Sequence, residues 1–129
     1  MKVCTDIEQS SKLLEIGISI ETADMCWELD KNCSIEAYNL VPLIRYNTKE
    51  RKELFEKDKE LIPTWSLSAL LQLFPHDDTH GVELNNYCGA NDRVWFIRGN
   101  YGFTFIRIKD EPIDGLVELI LELKEKNLL

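Results

Sequence analysis

The apolar positions of this chain change their period several times, and each change marks an element. Near the start, Ile7, Leu13, Leu14 and Ile16 supply an apolar helix face. Thr5-Asp6-Ile7-Glu8 has the spacing of a capping box, in which a Thr hydroxyl and a Glu carboxylate three residues on satisfy the first free amides of a helix. Gly17 is a natural stop, because glycine turns freely into the left-handed region. The pattern predicts a helix over 6–16. Residues Met25–Leu29 and 35–41 hold several β-formers, with the turn-like Asp30-Lys31-Asn32 between them, and predict a hairpin.

Residues 48–60 read TKERKELFEKDKE. Lys49, Arg51, Lys52, Lys57 and Lys59 are balanced by Glu50, Glu53, Glu56, Asp58 and Glu60, and only Leu54 and Phe55 are apolar. The segment is either an exposed helix laced with i,i+4 pairs or a charged insertion without fixed structure. It is not a basic patch. Over 63–75, Ser66 can cap a short helix and Pro75 marks its end. Trp65, Leu67, Leu70, Leu71 and Phe74 spread around that helix, which predicts burial.

Three strands are predicted next, over 82–88, 93–98 and 101–109. Gly89-Ala90-Asn91-Asp92 joins the first two, and Gly99-Asn100 joins the last two as a tight two-residue loop. The final segment opens with Asp110-Glu111-Pro112, where proline suits a first helical turn and acids suit its positive end. Ile113, Leu116, Val117, Ile120 and Leu123 recur at helical spacing, with Lys124 and Lys126 in the last turn, predicting a helix over 113–126. Strands joined by hairpins argue for an α+β fold. The expected architecture is an antiparallel sheet, made of the N-terminal hairpin and the C-terminal three-stranded meander, with about three helices on one face. No repeat, linker or boundary interrupts the pattern, so 1–129 reads as a single domain.

Composition agrees with a globular chain that can bury a core without disulfides or metal: 129 residues, 44 % hydrophobic and 29 % charged. Lys and Arg number 15 against 23 Asp and Glu, a net charge of −8. That surface repels nucleic acid and anionic lipid at long range and permits a basic partner. No apolar stretch is long enough for a membrane helix, and the opening residues lack a signal-peptide core, so the expected location is the cytoplasm. Cys4, Cys26, Cys33 and Cys88 show no Cys-x-x-Cys spacing. Cys26 and Cys33 could face each other across the hairpin, but reduced thiols are the expectation in that compartment.

Several stretches resemble a family of small uncharacterised proteins of gut Bacteroidales, often carried on phages or mobile elements. The resemblance lies in KVCTDIEQSSKLLEIG at the start, ADMCW over 23–27, IPTWSLSALLQLFP over 62–75 and PIDGLVELILELKE over 112–125. It covers about half the chain and implies a biological setting, with no assigned activity, cofactor or site residues.

His76 and His80 are the only histidines, and they lie in PHDDTHG beside Asp77 and Asp78. Imidazoles and carboxylates this close are the donor types of a divalent metal site. Pro75 and Gly81 place them in a loop, however, and the glutamate of a His-Glu-x-x-His metalloprotease is missing. The plain alternative is a solvated polar loop.

The stretch RGNYGFTF over 98–105 is similar to the ribonucleoprotein octamer of RNA-recognition domains. Alternation puts Tyr101, Phe103, Phe105, Arg107 and Lys109 on one strand face, where rings flanked by cations can stack bases. Against this, Asn100 is an extra residue, the second Phe comes one position early, the chain ends in a helix, and the molecule is acidic. Gly102, Thr104, Ile106 and Ile108 form the opposite face. One face must pack on helices, and rings bury the larger area, which makes Tyr101, Phe103 and Phe105 core. No nucleophile elbow or phosphate loop is present, and no cofactor is implied. The sequence therefore points to a non-enzymatic accessory or protein-interaction domain, ahead of a single-stranded nucleic-acid binder or a small metal-dependent enzyme. The partner and the oligomeric state are not written in it.

Overall fold

The computed structural model describes residues 1–32, 35, 37–88 and 93–129, with residues 87, 88 and 93 described by backbone alone. Cys33 and the connection over 89–92 lie outside the described residues. Among the described residues the fold is α+β, with four α-helices and two three-stranded antiparallel sheets. The hairpin and the meander thus belong to separate sheets. By its contacts the chain divides into two units, 4–69 and 1–3 with 70–129.

In the unit 4–69, helix α1 (Ile7–Glu15) starts one residue later than the Thr5 box predicts. Asp6 is the cap: its carboxylate accepts from the Gln9 amide at 2.8 Å, and the Gln9 side chain accepts from the Asp6 amide at 3.0 Å. Thr5 is withdrawn because its side chain is fully buried and serves another network. Its hydroxyl lies 2.8 Å from Ser10 Oγ and 2.8 Å from Thr64 Oγ1, and accepts from the Trp65 amide at 3.1 Å. Gly17, at φ +93°, ends the helix, while the Ile18 amide reaches back to the Leu13 carbonyl at 3.0 Å.

Strand β1 (Met25–Leu29) is central in the first sheet, with β2 (Tyr38–Pro42) on one side and β3 (Ile62–Thr64) on the other. The predicted hairpin strands pair antiparallel as β1 and β2, with the second strand at Tyr38–Pro42 and not over 35–41. Strand β3 is new: a three-residue strand containing Pro63 carries little periodicity. Pro63 is admissible there because β3 is an edge strand. The charged segment is helix α2 (Thr48–Lys57), capped reciprocally by Asn47 and Glu50, with Phe55 as its buried anchor. Asp24 fixes the start of helix α3 (Leu67–Gln72): it accepts from the Ser66 amide at 2.8 Å and from the Ser66 hydroxyl. That hydroxyl in turn caps the Ala69 amide at 3.2 Å. Trp65 is fully buried, as its place among apolar neighbours predicts.

In the other unit, β4 (Gly81–Cys88), β5 (Arg93–Asn100) and β6 (Thr104–Lys109) form the meander in that order. The tight turn falls at Tyr101-Gly102-Phe103 and not at Gly99-Asn100, which finish β5. Gly102, at φ +82°, supplies the left-handed turn residue. Gly99 serves instead for close approach: a Cβ there would lie 3.1 Å from Leu119. Helix α4 (Pro112–Glu125) begins with proline in its first turn and buries Ile113, Leu116, Val117, Leu119, Ile120 and Leu123. Each such side chain contributes about 1.5–3 kcal/mol on burial. Asn127, at φ 56°, closes the helix, with the Leu128 amide on the Leu123 carbonyl at 2.8 Å.

Candidate functional site

Strand pairing fixes which side chains share each face of the β4-β5-β6 sheet. Gly115 of α4 meets Ile97, and Leu119 meets Gly99, so these β5 residues face the helix. Their register partners Phe105 and Arg107 lie on the same side. Arg107 pairs with Glu122, and Lys109 with Glu118 at 2.9 Å, which consumes the cations of β6 under α4. The opposite face carries Phe96, Arg98 and Asn100 of β5, Ile106, Ile108 and Thr104 of β6, and Glu83 and Asn85 of β4.

That face is open. Ile106 is 48 % exposed, Ile108 61 % and, in the adjoining turn, Phe103 68 %. Phe96 and Val94 are half-buried beside them. A solvated sheet face ordinarily alternates to polar residues; here two of the three outward positions of β6 are isoleucine.

The predicted aromatic platform is taken apart by the position of the turn. Tyr101 is buried, 4 % exposed, and so is Phe105 at 6 %, while Phe103 alone projects. Tyr101 stacks on Phe74 at a centroid distance of 6.2 Å, and its hydroxyl donates to the Pro75 carbonyl at 3.1 Å. Burial, with the nearby Asp77 charge, pushes the Tyr101 hydroxyl up to about 12. The three rings therefore do not share an exposed face. For Tyr101 and Phe105 the core reading holds; for Phe103 it does not.

At one end of the open face, the loop of His76, Asp77, Asp78, Thr79 and His80 borders a polar cleft of roughly 390 Å³ with Glu83, Arg98 and Asn100. Asp77 organises the loop. Its carboxylate accepts from the Thr79 amide at 2.7 Å, the His80 amide at 2.7 Å and the Thr79 hydroxyl at 3.0 Å. Its other oxygen lies 2.9 Å from His80 Nδ1. These donors, the Thr79 amide foremost, hold the Asp77 carboxyl well below the usual carboxylate range. The His80 ring stacks on Tyr101 at 5.8 Å, so the loop rests on the core through an aromatic ladder. His76 and His80 share this cleft, but His80 Nδ1 and Asp77 are engaged with each other. Among the described residues, no group of three or more His, Cys, Asp or Glu side chains is placed to hold a metal ion.

The unit 4–69 has a second concavity, of roughly 420 Å³, lined by Asp6, Ile7, Glu8, Trp27 and Tyr38. The Trp27 indole N–H is used internally, donating to the Thr5 carbonyl at 3.2 Å. Its ring therefore forms an apolar wall.

Sequence reading did not single out Phe96, Ile106, Ile108, Glu83 and Arg98 as a surface. The signal was present, since alternation already set Ile106 and Ile108 opposite the rings. Comparison of the chain with protein-family models, curated proteins and solved structures returns no match. No helix among the described residues is long and apolar enough to cross a membrane.

Proposed function

We propose that this chain is a non-enzymatic protein-interaction domain that docks a protein partner on the open face of the β4-β5-β6 sheet. In this reading it is an accessory protein of a mobile element, the setting that the family resemblance implies, and it works in the cytoplasm. The observation that carries the proposal is the exposure of Ile106 and Ile108 on a strand whose other face is buried under α4. Exposed contiguous apolar side chains rimmed by polar groups are the usual mark of a docking surface. Asn100, Thr104, Glu83 and Arg98 supply the polar rim here.

A photo-crosslinking residue at position 108, used in the native host with nuclease present, tests the reading. A defined protein adduct, lost when Ile106→Glu is added to the same chain, supports it. Adducts only to nucleic acid, or no adduct beyond that of a crosslinker placed in the exposed charged helix α2, refute it.

A further inference from the structure

We infer that the concavity between the first turn of α1 and the β1-β2 hairpin is a binding site for an arginine side chain of a basic protein partner. The residues that line it all belong to the unit 4–69, so the site stands or falls separately from the open sheet face.

Strand register builds its aromatic walls. Trp27 stands opposite Leu40, and Tyr38, two residues before Leu40, stands opposite Leu29. Alternation puts the two rings on one sheet face as diagonal neighbours, about 7–8 Å apart at the backbone. Thr64, opposite Met25, shares that face and is bonded to Thr5 and Ser10. Helix α1 therefore covers the Thr64 end of the face, and its first turn, where Ile7 is 37 % exposed, borders the rings. The bond from the Trp27 indole to the Thr5 carbonyl holds the ring in place. What remains open between these half-buried rings and the helix is the concavity of roughly 420 Å³.

Charge selects the occupant. The charged residues that line the concavity, Asp6 and Glu8, are both acidic. Capping does not cancel the Asp6 charge, since the Gln9 amide that it accepts from is neutral. Glu8 lies 3.2 Å from Lys12, but both side chains are exposed, and such a surface pair yields readily to a competing cation. The helix N-terminus sets only about half a positive charge against the two carboxylates.

Aromatic walls bordered by two acids fit a group that is cationic at its tip and apolar along its stem. A lysine ammonium is compact and strongly hydrated. A guanidinium is weakly hydrated, stacks flat on an aromatic face and grips carboxylates with several donors, which makes arginine the better match. The net charge of −8 draws a basic segment toward the chain before any contact forms.

The test is an NMR titration of the isotope-labelled full chain with acetyl-Gly-Arg-Gly-amide, read at the Trp27 indole N–H. The expected result is a saturable shift with a Kd on the order of 1 mM that weakens as salt rises. The citrulline peptide, which has the same shape without the charge, should bind about tenfold more weakly, and the lysine peptide about threefold. Glu8→Lys should weaken the arginine peptide by about tenfold with an unchanged circular dichroism spectrum, because its side chain is exposed. Tyr38→Leu should weaken it by about threefold. Trp27→Leu also removes the bond to Thr5, so the other two variants decide the matter. The inference is overturned by a Trp27 signal that does not move up to about 20 mM arginine peptide. It is overturned equally by citrulline or lysine peptides that match arginine, or by binding that Glu8→Lys and Tyr38→Leu leave unchanged.

Discussion

Gly115 of α4 and Ile97 of β5 interlock so closely that a Cβ on the glycine would lie 2.0 Å from the Ile97 Cδ1. A glycine inside a helix costs roughly 1 kcal/mol relative to alanine. Its place here reflects helix-on-sheet contact, since Ile97 is fully buried and has no room to withdraw. Gly115→Ala should destabilise the chain by about 1–3 kcal/mol despite the better helix former. Adding Ile97→Val, which removes the clashing methyl, should recover part of that loss. Urea unfolding of the two single variants and the double variant measures both effects. A more stable Gly115→Ala chain would contradict the contact.

The three hydroxyls of Thr5, Ser10 and Thr64 are each fully buried and mutually bonded. Thr5→Val keeps the shape and deletes the hub, leaving the Trp65 amide and its two hydroxyl neighbours short of a partner. The expected loss is about 1–3 kcal/mol. Thr64→Val should cost a similar amount, and the double variant less than the sum, because the second change removes a group already orphaned. Strict additivity would show that the hydroxyls act separately.

Cys26 is buried, and burial, aided by the charges of Glu28 and Asp58, pushes its thiol up to about 11. In the native protein at about pH 8 it should resist iodoacetamide, and it should label readily once unfolded. Its contribution to stability is complete below the ordinary thiol value near 9.0 and is lost as pH rises through about 11. Peptide mapping of alkylated samples reads the first effect. A shallower alkaline decline in Cys26→Ala than in wild type reads the second.

Asp77 is displaced in the other direction, held low by the Thr79 and His80 donors. Its contribution is present above the ordinary carboxylate value near 3.8 and is lost as pH falls below it. Asp77→Asn keeps an acceptor for the two amides but has no charge to lose. Wild type should therefore lose more stability than this variant between about pH 5 and about pH 2.5. Equal losses would mean that the carboxylate is not the acid-sensitive group of the loop.

The helical stretches were legible because their cues are local. Leu13 and the Leu116–Ile120 set repeat at helical spacing, and Pro112 sits where a first turn accepts it. Local cues also misled. Both Thr5 and Asp6 can cap α1, and only the burial of Thr5 against Thr64, 59 residues away, decides between them. Gly99-Asn100 and Gly102 are equally good turn residues by composition. The choice falls to Gly102 because α4 needs the bare backbone of Gly99 beneath Leu119. That displacement decided the fate of the candidate site, burying Tyr101 and turning Phe103 out. Strand β3 was invisible because three residues, one of them proline, carry no period.

Lys2 belongs with the meander and α4, not with the residues that follow it: its amide donates to Glu111 at 2.7 Å and its ammonium to Asp114 at 2.8 Å. These bonds span separations of 109 and 112 positions. During synthesis the whole stretch 4–69 leaves the ribosome before α4 does. Lys2 must wait, tethered just ahead of it, until the start of α4 has been made. Closing so long a loop costs entropy before any contact repays it. Residues 1–3 thus reach their place only after a segment more than a hundred positions further on has formed.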